Sequence, residues 1–259
     1  MLLRLLLVCG VSTTFFGAIT GSYFGNAVEL LPESLAWVKR AKAAVTFFDP
    51  LSNPLTMLAL SLAFGIVQVW TGVLIKMLLN LRRGNVMEGV FEQGSWLLLI
   101  AGLVLWAVGR QLGFSPTLVR ALGIAALVGA GMVAYGASRH QPSILLKPFT
   151  GAYALYGITG YVGDVLSYAR LLALGLATSI IAIVVNQIAM LPRGVPVVGV
   201  IFMVVVMAGG HAFNLVVNTL GSFVHSARLQ FVEFFTKFFE GGGRGFRPFR
   251  EETKYTEVR

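Results

Sequence analysis

Six stretches of this 259-residue sequence, at 2–20, 55–79, 96–108, 118–135, 152–190 and 195–239, are nearly free of charge and rich in Leu, Val, Ile, Phe and Ala. About 20 residues of helix cross the hydrocarbon core of a bilayer. Backbone groups inside that core find no water to bond, so only helices or closed barrels span it, and apolar runs this continuous read as helices. The expected fold is an all-α polytopic membrane protein with about six membrane helices. The stretch at 96–108 reaches spanning length only if its helix starts near Val90. A charged fraction of 12%, against about 25% in soluble domains, argues against a water-soluble fold.

The last two stretches hold 39 and 45 residues and would extend about 60 and 65 Å as helices. Both are expected to be strongly tilted, because tilt is the generic response to excess apolar length. A break near Gly160 or at Gly209-Gly210 is the alternative. The whole of 1–259 reads as a single membrane domain, with supporting helices in 1–150, the long helix pair in 151–240 and a tail in 241–259.

A net charge of +9 suggests nucleic acid only until the cations are placed. No basic patch is interleaved with stacking aromatics, so nucleic acid is not an expected partner. If the spans alternate, the C-terminal side collects twelve of the 20 Lys and Arg residues: Arg4, the loops with Lys76, Arg82, Arg83, Arg139 and Lys147, and the tail from Lys237 to Arg259. The other side holds Lys39, Arg40, Lys42, Arg110, Arg120 and Arg193. The positive-inside bias then puts the C-terminus in the cytoplasm.

The single cysteine, Cys9, excludes an intramolecular disulfide framework and a cysteine-based metal cluster. The N-terminal stretch has the basic start and apolar core of a signal peptide, yet it reads as a retained helix. Gly17, Gly21 and Gly25 continue it at the four-residue spacing that lets membrane helices approach closely; a loop over 21–25 is the other reading. Between the first two spans, 26–53 carries the amphipathic WVKRAKAAV and the turn signals Asp49-Pro50 and Asn53-Pro54, as an interfacial or re-entrant segment would. Glu88 and Glu92 suit the start of the next helix, facing the positive end of its dipole. RQLGFSP reads as a tight external turn and SRHQPSILLKP as a cytoplasmic one. No phosphate loop, H-E-x-x-H or G-x-S-x-G motif is present, so no nucleotide site, hydrolytic centre, cofactor or metal is expected. GGGRGF at 241–246 follows a helix and reads as its stop.

The remaining two cations stand inside apolar sequence. Arg170 and Arg228 lie deep in the last two stretches, where an arginine costs roughly 2.5 to 3.5 kcal/mol on insertion scales and by default marks an ion or substrate pathway. A structural ion pair or snorkelling to an interface is the plainer reading. Around Arg228 the polar residues are ordered: His211, Asn214, Asn218, Gly221, His225 and Arg228 step by three and four, within about 100° of one helical face. A polar stripe about 25 Å long needs water or a polar partner. Gly160, Gly163, Ser167 and Arg170 step likewise on the companion helix, with Thr178 in register and Asp164 at the edge. Small residues there let another helix come near the arginine.

The stretches GDVLSYARLLALGLA at 163–177, GHAFNLVVNTLGSFVHSARLQFVEFFTKFFEGGGRGFRPF at 210–249 and GVSTTFFGAITGSYFG at 10–25 resemble the membrane domain of the stator subunit of V/A-type rotary ATPases, subunit a in vacuolar enzymes and subunit I in archaeal and bacterial ones. The resemblance implies that Arg170 and Arg228 face the carboxylates of a rotating proteolipid ring of c or K subunits. It implies half-channels for protons or sodium ions, with His211, Asn214, Asn218, His225, Ser167, Asp164, Thr178 and Glu233 as the candidates to line them. Other subunits of the enzyme, including the peripheral stalk, and the lipid bilayer are the further implied partners. The short loops resemble a prokaryotic member, which implies the cell (inner) membrane. Family members carry a large N-terminal cytoplasmic domain and eight membrane helices, so the resemblance also implies a fragment, a split subunit or a shortened relative.

In such a stator a fixed arginine between two access paths attracts each passing carboxylate in its ionised form and opposes direct proton passage. Guanidinium suits this role because it stays protonated when buried. Without the ring, the arginines are expected to be hydrated or held by protein acceptors such as carbonyls or Asp164. A secondary transporter binding an anionic solute at Arg170 and Arg228 is the competing function, although such folds show internal repeats that this sequence lacks. An inert membrane scaffold is the third.

Overall fold

The computed structural model describes residues 2–246 apart from 22, 30–34, 48–49, 140, 144, 193, 240 and 243–244. The cationic tail beyond Phe246, with Arg193, Arg244 and Asp49, lies outside the described residues, and with it most of the expected tail at 241–259. Helices dominate, and no strand occurs among the described residues.

In chain order these are α1 (Leu2–Ile19), α2 (Ala36–Val45), α3 (Pro54–Arg82), α4 (Val86–Gln111), α5 (Pro116–Ser138), α6 (Lys147–Tyr156), α7 (Ile158–Leu166), α8 (Ala169–Met190) and α9 (Val198–Arg228). A π-helical turn, Leu229–Phe234, and a 3₁₀ turn, Phe235–Lys237, prolong α9. Five runs are long and apolar enough to cross a membrane: α3, α4, α5, the α6–α8 run of 44 residues and the α9 run of 40 residues. The apolar α1 is a shorter companion, so five spans and one shorter helix stand where the sequence suggests about six. The chain is an integral membrane protein.

Local chemistry sets several helix ends. Proline occupies the first turn of α3, α5 and α6, where its missing N–H would have been unpaired anyway. Gly84 and Gly113 follow α3 and α4 with φ of +86° and +71°, the left-handed conformation that closes a helix. The third apolar stretch does begin upstream of its apolar core, at Val86, because a π-helical turn at Gly89–Gly94 joins it to the preceding residues.

Gly17 lies within α1, but Gly21 and Gly25 do not continue it. That helix stops at Ile19, and Gly21 and Gly25 have φ of +67° and +65°. The loop brings Gly25 against α8, where an added Cβ would lie 3.0 Å from the Ile183 nitrogen. Close approach is served by a turn here.

Packing follows small residues. α4 and α5 form a tight pair: a Cβ on Gly102 would lie 2.9 Å from the Ala126 backbone, and one on Gly129 2.7 Å from the Leu99 nitrogen. Leu99, Ala126 and Val133 make the core of this pair, with Trp96, Ala154, Leu155 and Ile158 packed against it. α8 and α9 pair in the same manner, Gly210 lying against the Val185 side chain. The alternative break at Gly209-Gly210 is absent, since α9 runs through both.

The α6–α8 run is bent instead. Its interruptions fall at Gly157, against the Trp96 ring, and at Ser167–Tyr168. There the amides of Tyr168, Arg170 and Leu171 bond carbonyls three residues back, a tightened 3₁₀-like turn. Ser167 Oγ donates to the Gly163 carbonyl at 3.0 Å, the back-bonding that bends helices. Arg170 therefore sits on the first turn of α8, immediately after the bend.

Candidate functional site

The bend before Arg170 and the π-turn after Arg228 act together. Residues five apart on a regular α-helix are separated by about 140° around the axis, so Glu233 would point away from Arg228. In a π-turn the bonding interval widens to five residues, and Glu233 returns to the side of Arg228. Glu233 Oε1 stands 3.7 Å from Arg170 Nη1 and 3.8 Å from Arg228 Nε. One carboxylate thus meets both arginines.

Burial within this trio is uneven. The Glu233 side chain is 4% exposed and that of Arg170 18%, whereas that of Arg228 is 60% exposed. Both contacts are ionic without reaching hydrogen-bond length, and Glu233 Oε2 and Arg170 Nη1 are buried without a hydrogen-bond partner. Unit charges at about 4 Å attract by about 4 kcal/mol at an effective dielectric of 20, and the exposed Arg228 gains less than that.

Asp164 is not the acceptor for these arginines. It pairs with Lys237, whose ammonium also lies 4.7 Å from the Tyr161 ring centroid. The pair joins α7 to the turn that ends the α9 run and places Asp164 beside the site. Tyr168 is buried next to the bend, close enough to interact electrostatically with both Glu233 and Asp164, with its hydroxyl unpartnered. Gln68 Nε2 on α3 donates to Gln230 Oε1 at 3.1 Å, tying the π-turn to α3. Among the named groups three cations face two carboxylates, so the cluster carries one unbalanced positive charge, and the exposed end is Arg228.

The polar stripe of α9 turns toward α8. His211 Nε2 lies 2.9 Å from Asn186 Oδ1, Asn214 Nδ2 donates to the Thr178 carbonyl at 3.2 Å, and Thr178 Oγ1 donates to Asn218 Oδ1 at 2.8 Å. Asn218 in turn donates to Asn214. Gly221 sits on Leu174, and His225 is half-buried one turn before Arg228. Phe213, Leu215, Val216, Leu220 and Val224 on the rest of α9 are exposed. The upper stripe is therefore met by polar partners on α8. Ser167 bonds its own helix.

Asn186 is the residue that sequence reading passed over. It is fully buried and donates to the Phe24 carbonyl and to Asn26 Oδ1, each at 2.9 Å, while its own carbonyl oxygen meets His211. The signal was present closer by: Thr178, Ala182 and Asn186 step by four, within about 80° of one face. Phe24 stacks edge-on against the His211 ring at 5.0 Å, so the N-terminal loop closes over the far end of the stripe.

Cavities flank the arginines in chain position. One of about 360 Å³ is lined by Asn26, Asn186, Gln187, Met190 and Leu191, at the far end of α8. Another of about 460 Å³ lies near Tyr161 and Lys237 and is bordered by Lys76, Glu92, Gln93 and Trp96. No group of three or more His, Cys, Asp or Glu residues among the described residues has the arrangement to hold a metal.

The chain is similar to known proteins over most of its length. Residues 158–251 match the model of the V-type ATPase 116 kDa subunit family. Over 259 residues it is 34% identical to an A-type ATP synthase subunit I of Pyrococcus horikoshii, covering 98% of this chain and 37% of that relative. An A-type ATP synthase subunit I of Methanocaldococcus jannaschii is 33% identical over 97% of this chain and 38% of its own length. A V-type ATP synthase subunit I of Chlamydia pneumoniae is 32% identical over 42% of this chain and 16% of its own. The chain spans a little over a third of the length of the archaeal relatives.

Proposed function

Because the chain belongs to the V-type ATPase 116 kDa subunit family, we propose that it is the membrane part of a rotary ATPase stator, in which Arg170 and Arg228 face the carboxylates of a proteolipid ring. The observation that carries this reading is the shared carboxylate: two membrane arginines meet Glu233 from different helices, and the cluster still has one positive charge in excess. A single ring carboxylate balances that excess. Arg228, 60% exposed, is the group positioned to meet it.

Access to the ring position comes from both sides. On one side, a path begins at the cavity beside Asn26 and Asn186 and follows His211, Asn214, Thr178, Asn218 and His225 down to Arg228. On the other, the cavity by Glu92 and Gln93 leads to Tyr161 and Lys237, next to Asp164. Histidine and asparagine suit the first path, as one takes and gives protons near neutral pH and the other orients water without charge. Arg170 and Arg228 separate the two paths, so a proton crosses only on a ring carboxylate that has moved past them.

The ring's seat is supported by what surrounds the arginines. α9 is left largely uncovered by the chain, Gly199 and Asn214 being its buried residues, and an added Cβ at Gly160, Gly163 or Gly209 would meet nothing within 4 Å. At 44 and 40 residues, the α6–α8 and α9 runs are about twice an upright span, which fits tilted helices lying along a curved partner. A cytoplasmic C-terminus is supported by the distribution of Lys and Arg along the sequence. A secondary transporter is less favoured: the arginines face a carboxylate of the chain itself, and neither cavity is lined by them.

Cysteine accessibility tests the paths. In the assembled enzyme, cysteines at 211, 214, 218, 221 and 225 are expected to react with small water-soluble thiol reagents at least about tenfold faster than cysteines replacing Phe213, Val217 and Val224, because on this reading water follows the polar face while the apolar face meets lipid or the ring. Equal rates on both faces would leave the stripe as simple packing against α8.

A further inference from the structure

The carboxylate between the arginines is a charge that the stator mechanism, as stated above, does not require, and its burial makes it costly to keep. Resting on the stator reading, we propose that Glu233 is a resident counter-anion: it sets the excess charge of the arginine pair to one, so that a ring carboxylate is held ionised but still released by protonation. The geometry fits a loose hold. Contacts of 3.7 and 3.8 Å leave the guanidinium N–H groups outside hydrogen-bond reach of Glu233, and both arginines keep donors for an incoming carboxylate.

The surroundings leave the task to Glu233. Facing it are Arg170 from α8 and Arg228 from its own run, with Tyr168 of the bend in electrostatic range; the other carboxylate of the cluster, Asp164 of α7, is occupied by Lys237. Gln230 and Gln68, one from the π-turn and one from α3, contribute a neutral hydrogen bond. Removing the Glu233 charge would therefore raise the excess from one to two. A passing carboxylate then sits in a stronger positive field, is ionised down to lower pH and leaves more slowly. The π-turn is explained by the same need, since without it the acid would lie on the wrong side of the helix. Glu233 is thus a positioning residue that acts through the arginines.

The test is the pH dependence of ATP-driven proton uptake by the assembled enzyme in vesicles, with Glu233→Gln and Glu233→Asp beside Arg170→Ala. Loss of protonation of the ring carboxylate limits the alkaline limb of such a profile. For Glu233→Gln that limb is expected to move to lower pH by about one unit, with uptake at neutral pH reduced roughly tenfold; Glu233→Asp should recover most of both. If Glu233→Gln fails to assemble, the shorter Asp side chain should still move the limb in the same direction by a smaller amount. A Glu233→Asp profile superimposable on the parent, together with either an unshifted Glu233→Gln profile or a Glu233→Gln enzyme that does not assemble, overturns the inference. With Arg170→Ala inactive, that outcome rejects only the role of Glu233; with Arg170→Ala fully active, the stator reading itself fails.

Discussion

Arg170→Ala is expected to lower ATP-driven proton uptake of the assembled enzyme by two to three orders of magnitude, with the subunit still inserted and still bound to its ring. The attraction lost is about 4 kcal/mol for unit charges at 4 Å and a dielectric of 20, which corresponds to a factor of about a thousand in a rate that depends on it. Arg170 is the buried partner of Glu233, so its removal also leaves that carboxylate with only the exposed Arg228. Arg228→Ala should show the same sign. Lysine at either position should recover little, for it lacks the planar fork that can hold Glu233 and a second carboxylate at once. ATP hydrolysis that continues without proton uptake would show the loss to be one of coupling. Uptake at the parental rate in Arg170→Ala would remove the arginine from the mechanism.

Gly129→Leu is expected to have the largest structural effect. An ideal Cβ at Gly129 already falls 2.7 Å from the backbone nitrogen of Leu99, and backbone cannot rotate aside as a side chain can. Relief requires α4 and α5 to separate, which opens the core of Leu99, Ala126 and Val133. Overpacking of this kind costs typically 1 to 3 kcal/mol and more where the obstacle is rigid. The amount of folded protein recovered in detergent and its thermal midpoint should both fall. Gly131→Leu is the control, since nothing lies within 4 Å of its Cβ direction. Equal losses in the two variants would mean that glycine content, not helix contact, sets the stability.

What the sequence disclosed was what periodicity and composition can carry. Apolar runs located the spans, the start upstream of Trp96 was anticipated from length alone, and the +3, +4 spacing put His211, Asn214 and Asn218 on one face, as found. The arginines stood out because charge in apolar sequence is expensive. Three features were beyond that reasoning. The glycines at 21 and 25 could serve a helix contact or a turn, and only the φ values of +67° and +65° decide for the turn. The bend at Ser167–Tyr168 has no proline to announce it; the backbone there tightens to bonds three residues back. The π-turn changes the helical register, so counting in steps of 3.6 hides the facing of Arg228 and Glu233. For the same reason Asp164 looked like an acceptor for Arg170, when Lys237, four residues past Glu233, takes it.

The central claim is that the face of α8 and α9 around Arg170 and Arg228 lies against a proteolipid ring, and disulfide trapping tests it most directly. Val224 is one turn before Arg228 and 52% exposed, whereas Leu127 on α5 is 74% exposed away from the site. With a cysteine placed one turn from the mid-membrane carboxylate of the ring subunit, Val224→Cys is expected to cross-link under mild oxidation, since a disulfide needs Cα atoms roughly 4.4 to 6.8 Å apart, and Leu127→Cys is not. Cross-linking through Leu127→Cys with none through Val224→Cys would put the ring on another face and contradict the assignment of Arg170 and Arg228.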